Sequence, residues 1–179
     1  GCNERQSAFY NGWTSGHYIS NEFVFAPDGR IVAMVVNAPG AMHDSTLMDM
    51  GGLYDKMEQW ASSFDIRMVV DSAFQCTNRP FFIKSAQDHE PVRDIDVGEY
   101  ALFCQATSVR QMAEWGMRGF QASFPRIKDC IWFEERGERA LMMQLLPRLY
   151  NFRCNMVGIN QIRNFFMPSL ERSAINLLN

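Results

Sequence analysis

The stretch His17-Tyr18-Ile19-Ser20-Asn21-Glu22-Phe23-Val24-Phe25-Ala26-Pro27-Asp28-Gly29-Arg30-Ile31-Val32-Ala33-Met34-Val35-Val36 decides the fold class. Two runs rich in β-branched and aromatic residues flank Pro27-Asp28-Gly29, and Asp-Gly between such runs is a strong turn signal. A β-hairpin over His17–Val36 is expected. Downstream, Asn37-Ala38-Pro39-Gly40 ends the second strand, and Ser45 can cap a helix in which Leu47, Met50, Leu53, Met57 and Trp60 recur at helical spacing. Ile66 to Val70 reads as a short buried strand that stops at Asp71-Ser72, and Pro80 to Ala86 as a short helix. After a polar stretch from Gln87 to Asp96, Tyr100-Ala101-Leu102-Phe103-Cys104 reads as another strand. Thr107 or Ser108 then starts a helix to about Phe120, and Glu138 to about Val157 is helix broken or kinked near Pro147. Alternation of strands and helices, followed by helices alone, makes the chain α/β with a helical C-terminal extension.

Composition bounds what such a domain does. The chain has 179 residues, 47% of them hydrophobic, enough for a real core, and no apolar run approaches the roughly 18 residues of a membrane span. Five cysteines are scattered without a CxxC pair, which argues against a disulfide framework or zinc knuckle and suits a reducing, intracellular compartment. The net charge of −3 does not advertise a nucleic-acid binder. It hides a gradient, however: residues 1–109 carry 7 basic and 14 acidic side chains, residues 110–179 carry 10 and 6. The basic C-terminal part suits either a DNA-facing surface or a solvated helical face.

Three carboxylates stand out. Asp71 ends the apolar run Met68-Val69-Val70, where a sheet presents ligands at the edge of its core; an aspartate capping the next turn is the alternative. Glu114 lies on the expected helix one turn after Arg110, which fits an i,i+4 ion pair as well as a site. Asp44 follows His43 in Pro39-Gly40-Ala41-Met42-His43-Asp44-Ser45, where the two could bind a metal or position a group; an aspartate stabilising the helix start is the alternative. No P-loop, dinucleotide glycine pattern, GxSxG or HExxH occurs.

The order of blocks adds what no single residue does. Tyr10-Asn11-Gly12 with His17, Pro27-Asp28-Gly29-Arg30-Ile31, Pro39-Gly40-Ala41-Met42-His43-Asp44-Ser45, Val70-Asp71-Ser72-Ala73-Phe74 and Arg110-Gln111-Met112-Ala113-Glu114 resemble the successive blocks of PIF/Harbinger-type transposases, DDE superfamily endonucleases. Departures occur: Ser15 or a neighbour replaces the lysine of the first block, Ala41 a small residue of the third, and Trp115 and Gln121 stand where basic residues are usual.

The resemblance implies a ribonuclease H-like mixed sheet with flanking helices, residues 1–124 forming the endonuclease domain and 125–179 its helical extension. It implies Asp71 and Glu114 as catalytic, metal-binding carboxylates for Mg²⁺ or Mn²⁺, Asp44 as a third metal-site residue outside the family's three, and His43 and Arg110 as supporting residues. Hard oxygen donors suit those cations, and two ions roughly 4 Å apart can activate an attacking oxygen and stabilise the leaving one at a phosphodiester. The family's first aspartate, in an Asp-Gly block on strand one, is expected just before Gly1, so this chain is expected to lack the first strand and to be inactive as it stands. DNA, as transposon ends, is the implied partner, with a homo-oligomer or an accessory DNA-binding protein, no membrane, and a nuclear location. A remnant that binds DNA or protein without catalysis is the rival reading, and an unrelated metal-dependent phosphohydrolase a more distant one.

Overall fold

A computed structural model describes residues 2–74, 76, 78–84, 97–128, 136–158 and 160–168. Six helices occur among them: α1 (Cys2–Phe9), α2 (Asp44–Met50), α3 (Leu53–Phe64), α4 (Val97–Ser123), α5 (Arg136–Val157) and α6 (161–168). Six strands, β1 (Tyr10–Asn11), β2 (Gly16–His17), β3 (Ile19–Phe25), β4 (Ile31–Pro39), β5 (Met68–Val70) and β6 (Phe82–Lys84), pair as β1-β2, β3-β4 and β5-β6. The chain divides into two compact units. Unit 1 comprises residues 1–22 and 38–111, and unit 2 comprises residues 23–37 and 112–179.

The expected hairpin is present as β3 and β4, and its turn is built as its residues dictate. Gly29 supplies a positive φ of 85°, its N–H donates to Ala26, and Ala26 N–H donates to the Arg30 carbonyl at 2.8 Å. In unit 1 the expected single helix is two, because Gly51-Gly52 interrupts it and Gly52 adopts a left-handed conformation. His43, not Ser45, is the N-cap, which puts Asp44 in the first turn. Leu47, Met48, Leu53, Tyr54 and Met57 are buried along the pair, whereas Met50 is exposed.

Two assignments are corrected, both on short apolar runs whose periodicity does not discriminate helix from strand. Phe82–Lys84, expected to be helical, is a strand pairing in parallel with β5, with Met68 opposite Phe82, Val69 opposite Ile83 and Val70 opposite Lys84. The aromatic and β-branched side chains there find a partner strand, which outweighs local propensity. The remainder of that expected helix, residues 85 and 86, lies outside the described residues, as does the polar stretch 87–96. Tyr100–Cys104, expected as a strand, belongs to α4. Phe103, Ala106, Thr107 and Arg110 form its less exposed face at helical spacing, and the Thr107 hydroxyl donates to the Phe103 carbonyl at 3.0 Å instead of capping a new helix. Helix α5 also runs through Pro147 without a break.

The core of unit 2 gathers Ile31, Phe120, Tyr150 and Cys154, with Phe23, Phe25, Met34, Phe124, Ile127 and Leu146 packed against them. Phe120 is 1% exposed and meets Phe23, Phe124 and Tyr150 at ring-centroid distances of 5.2, 5.5 and 5.7 Å. In unit 1 the Tyr54 ring meets Phe82 at 5.9 Å and carries the Arg79 guanidinium over its face at 4.0 Å.

Candidate functional site

The parallel pair β5-β6 is closed by residues 71–81, a connection short for parallel strands. Asp71 starts it. Its Oδ1 accepts the Ala73 N–H at 2.9 Å, and its carbonyl accepts from Phe74. The turn-capping role considered for Asp71 is therefore present, and it leaves the half-buried side chain at the strand end.

The segment Pro39–Asp44 delivers the second carboxylate. A Cβ at Gly40 would collide with the backbone carbonyl oxygens of Tyr18 and Phe9, so only glycine lets the segment pass so close. The Asn11 side-chain amide donates to the Gly40 carbonyl at 2.9 Å, and Ala41 N–H donates to the Ala8 carbonyl at 3.1 Å. These contacts fix the approach to α2 and hence Asp44, which is half-buried; His43 beside it is exposed.

A third carboxylate joins these two. Glu22, half-buried on β3, has its carboxyl pushed up from 4.5 to about 8, first by burial, then by the charge of Asp44 and a hydrogen bond with it, and then by the charge of Asp71. The raised value makes the Glu22 hydroxyl the donor in that hydrogen bond, so at neutral pH a proton reduces the repulsion within the cluster. Sequence reasoning missed Glu22. In Ile19-Ser20-Asn21-Glu22-Phe23 it is one of several polar residues on a strand, and its only distinguishing sign is that Val24 follows on the same face.

Of the residues expected at the site, unit 1 thus brings Asp44 and Asp71 near Glu22, with His43 next to Asp44. Arg110 and Glu114 both lie on α4; Arg110 is half-buried in unit 1, and Glu114 belongs to unit 2 with an exposed side chain. Among the described residues, no group of three or more His, Cys, Asp or Glu side chains has the geometry to hold a metal ion. The donor chemistry of Glu22, Asp44 and Asp71 nevertheless suits a hard divalent cation, which would offset the same repulsion that the Glu22 proton now offsets.

Carboxylates gathered in this way are a ligand class for such cations. A family model described as a DDE superfamily endonuclease matches residues 2–151, so the chain belongs to the DDE superfamily endonucleases. No curated protein matches it. No solved structure matches it either. No helix among the described residues is long and apolar enough to cross a membrane.

Proposed function

We propose that the chain is the endonuclease and strand-transfer domain of a PIF/Harbinger-type transposase, acting on DNA in the nucleus with Mg²⁺ or Mn²⁺. The observation that carries this reading is the proximity of Asp44 and Asp71 to the half-buried Glu22 carboxyl. Family membership over residues 2–151 supports the nuclease class, and the ordered sequence blocks support the subtype and a ribonuclease H-like core. Asp71 and Asp44 would hold a cation in unit 1, and Glu114 is the carboxylate to which the resemblance gives a ligand role, with Arg110 and His43 as positioning residues. When bound, the cation would polarise a phosphodiester oxygen and lower the proton affinity of an attacking water or hydroxyl. The protein's part would be to bring carboxylates from separate elements to the cation.

Plasmid nicking by the protein expressed from its complete reading frame tests this reading. Nicking should require Mg²⁺ or Mn²⁺, disappear in Asp71→Ala and Glu114→Ala, and fall less in Asp44→Ala. Metal-dependent nicking that survives Asp71→Ala would place the chemistry elsewhere. A folded, metal-binding protein that never nicks DNA would transfer preference to a non-catalytic DNA- or protein-binding remnant.

A further inference from the structure

The β1-β2 hairpin displays a side chain that internal packing does not use. Tyr10 pairs opposite His17 and Asn11 opposite Gly16, and at the tip between them Trp13 is 97% exposed. A tryptophan left in water forgoes a large apolar burial, so a tip that holds one outward calls for something to cover it. The tip is braced. Asn11 Oδ1 accepts the backbone N–H groups of Trp13 at 3.0 Å and Thr14 at 3.2 Å, while its amide donates to Gly40 at 2.9 Å. Trp13 is therefore presented on a defined turn, and a preorganised aromatic loses little freedom on binding.

The surroundings indicate what would cover it. Tyr10 and Tyr18 are 45% and 53% exposed, and the Tyr10 ring stands edge-on to His17 at 5.4 Å. An open cleft of about 480 Å³ beside them is lined by Gln6, Ser7, Tyr10 and His17. Flat aromatic faces next to amide, hydroxyl and imidazole groups match a nucleobase, which offers a π-face to stack and a polar edge to hydrogen-bond. The side chains of Gln6, Ser7, Tyr10, Trp13 and Tyr18 carry no charge, so this surface suits a base better than the phosphate backbone. Gly40, which Asn11 grips, lies in the segment Pro39–Asp44, so the hairpin is tied to the stretch that leads to a site carboxylate.

We propose that the Tyr10–His17 hairpin is a base-stacking probe, in which Trp13 stacks on an unpaired nucleobase of the DNA and Gln6, Tyr10 and His17 receive its polar edge. This rests on the endonuclease reading of the same unit. Fluorescence anisotropy in EDTA, where no cleavage occurs, would measure binding of the full chain to a labelled single strand of about 12 nucleotides and to the matching duplex. Trp13→Ala should weaken single-strand binding on the order of 5- to 100-fold, Trp13→Phe should retain most of it, and duplex affinity should stay unchanged. Because Trp13 is exposed, both variants should melt with the wild type. Equal single-strand affinity in wild type and Trp13→Ala would overturn the proposal. So would loss of self-association in Trp13→Ala, seen by sedimentation velocity, with DNA binding intact, since Trp13 would then serve a second copy of the chain. Unchanged binding in Trp13→Ala alongside nicking that still depends on Asp71 would remove the hairpin proposal alone. A wild-type protein that binds neither DNA form would remove the endonuclease reading with it.

Discussion

In unit 2, two polar side chains that enter the interior close on partners of complementary hydrogen-bonding character. Asn151 closes on both backbone groups of Ile31, accepting its N–H at 2.8 Å and donating to its carbonyl at 2.7 Å, and Arg139 Nε donates to Asn37 Oδ1 at 2.6 Å. In unit 1, Glu22 meets two further carboxylates instead. Burial penalises a polar group unless hydrogen bonds replace its water, and adjacent like charges add to the penalty. The contrast teaches where like charges gather: the unit 2 contacts named here pair donor with acceptor, while unit 1 holds a carboxylate cluster whose repulsion a proton or a cation would relieve.

The largest test of that contrast strikes unit 2. Phe120→Ala should destabilise the chain by about 3–5 kcal/mol, because the side chain is almost wholly enclosed by aromatic and aliphatic neighbours. Urea denaturation would measure it, and a loss below about 1 kcal/mol would mean that the cluster is not a working core.

Cation binding should separate the units next. At roughly one hundred times its dissociation constant, Mn²⁺ should stabilise the protein by about 2.7 kcal/mol, and Asp71→Ala should abolish that gain. Thermal melts with and without Mn²⁺ would report it; an equal shift in the variant would show that Asp71 takes no part in holding the ion. A smaller loss is expected from Asn151→Ala, which strands both backbone groups of the buried Ile31 and should cost about 1–3 kcal/mol without altering the Mn²⁺ response.

The smallest effect runs the other way. Glu22 holds its proton up to about pH 8 in the fold, whereas in the unfolded chain it releases it near its ordinary 4.5. The unfolded state therefore loses the proton first as pH rises, so the wild type should lose stability between about pH 4.5 and pH 8 and level off above that window. Glu22→Gln should remove this decline and raise stability at pH 8. Half-burial and an imperfectly replaced hydrogen bond hold the gain to about 1–2 kcal/mol. Parallel stability curves against pH for the two proteins would disprove the clustering of charge around Glu22.

How far the sequence announced these features depended on the kind of signal. The β3-β4 hairpin was legible because Asp28-Gly29 fixes a turn locally, and Asp71 because a charge ending an apolar run is conspicuous. Asp44 stood out through its glycine-bearing block, for which Gly40 supplies a physical reason: two backbone carbonyls crowd the place of its missing side chain. Glu22 stayed hidden because a polar residue on a hairpin strand looks the same whether it faces water or two distant carboxylates. Phe82–Lys84 and Tyr100–Cys104 depart from their expected conformations in opposite directions for one reason. A run of three to five apolar residues takes its conformation from what it packs against, a parallel strand in one case and a continuing helix in the other.

The bond between Asn151 and Ile31 joins residues 120 positions apart, and this sets a timetable for the chain as it is made. The β3-β4 hairpin can close within microseconds of leaving the ribosome, yet Phe23, Phe25, Ile31 and Met34 must wait for Phe120 and Tyr150 before they are covered. At roughly 5–20 residues per second that interval lasts on the order of 5–20 seconds. Through that interval the newborn chain carries an uncovered aromatic hairpin, the kind of exposed apolar segment that is prone to aggregate until α4 and α5 cover it.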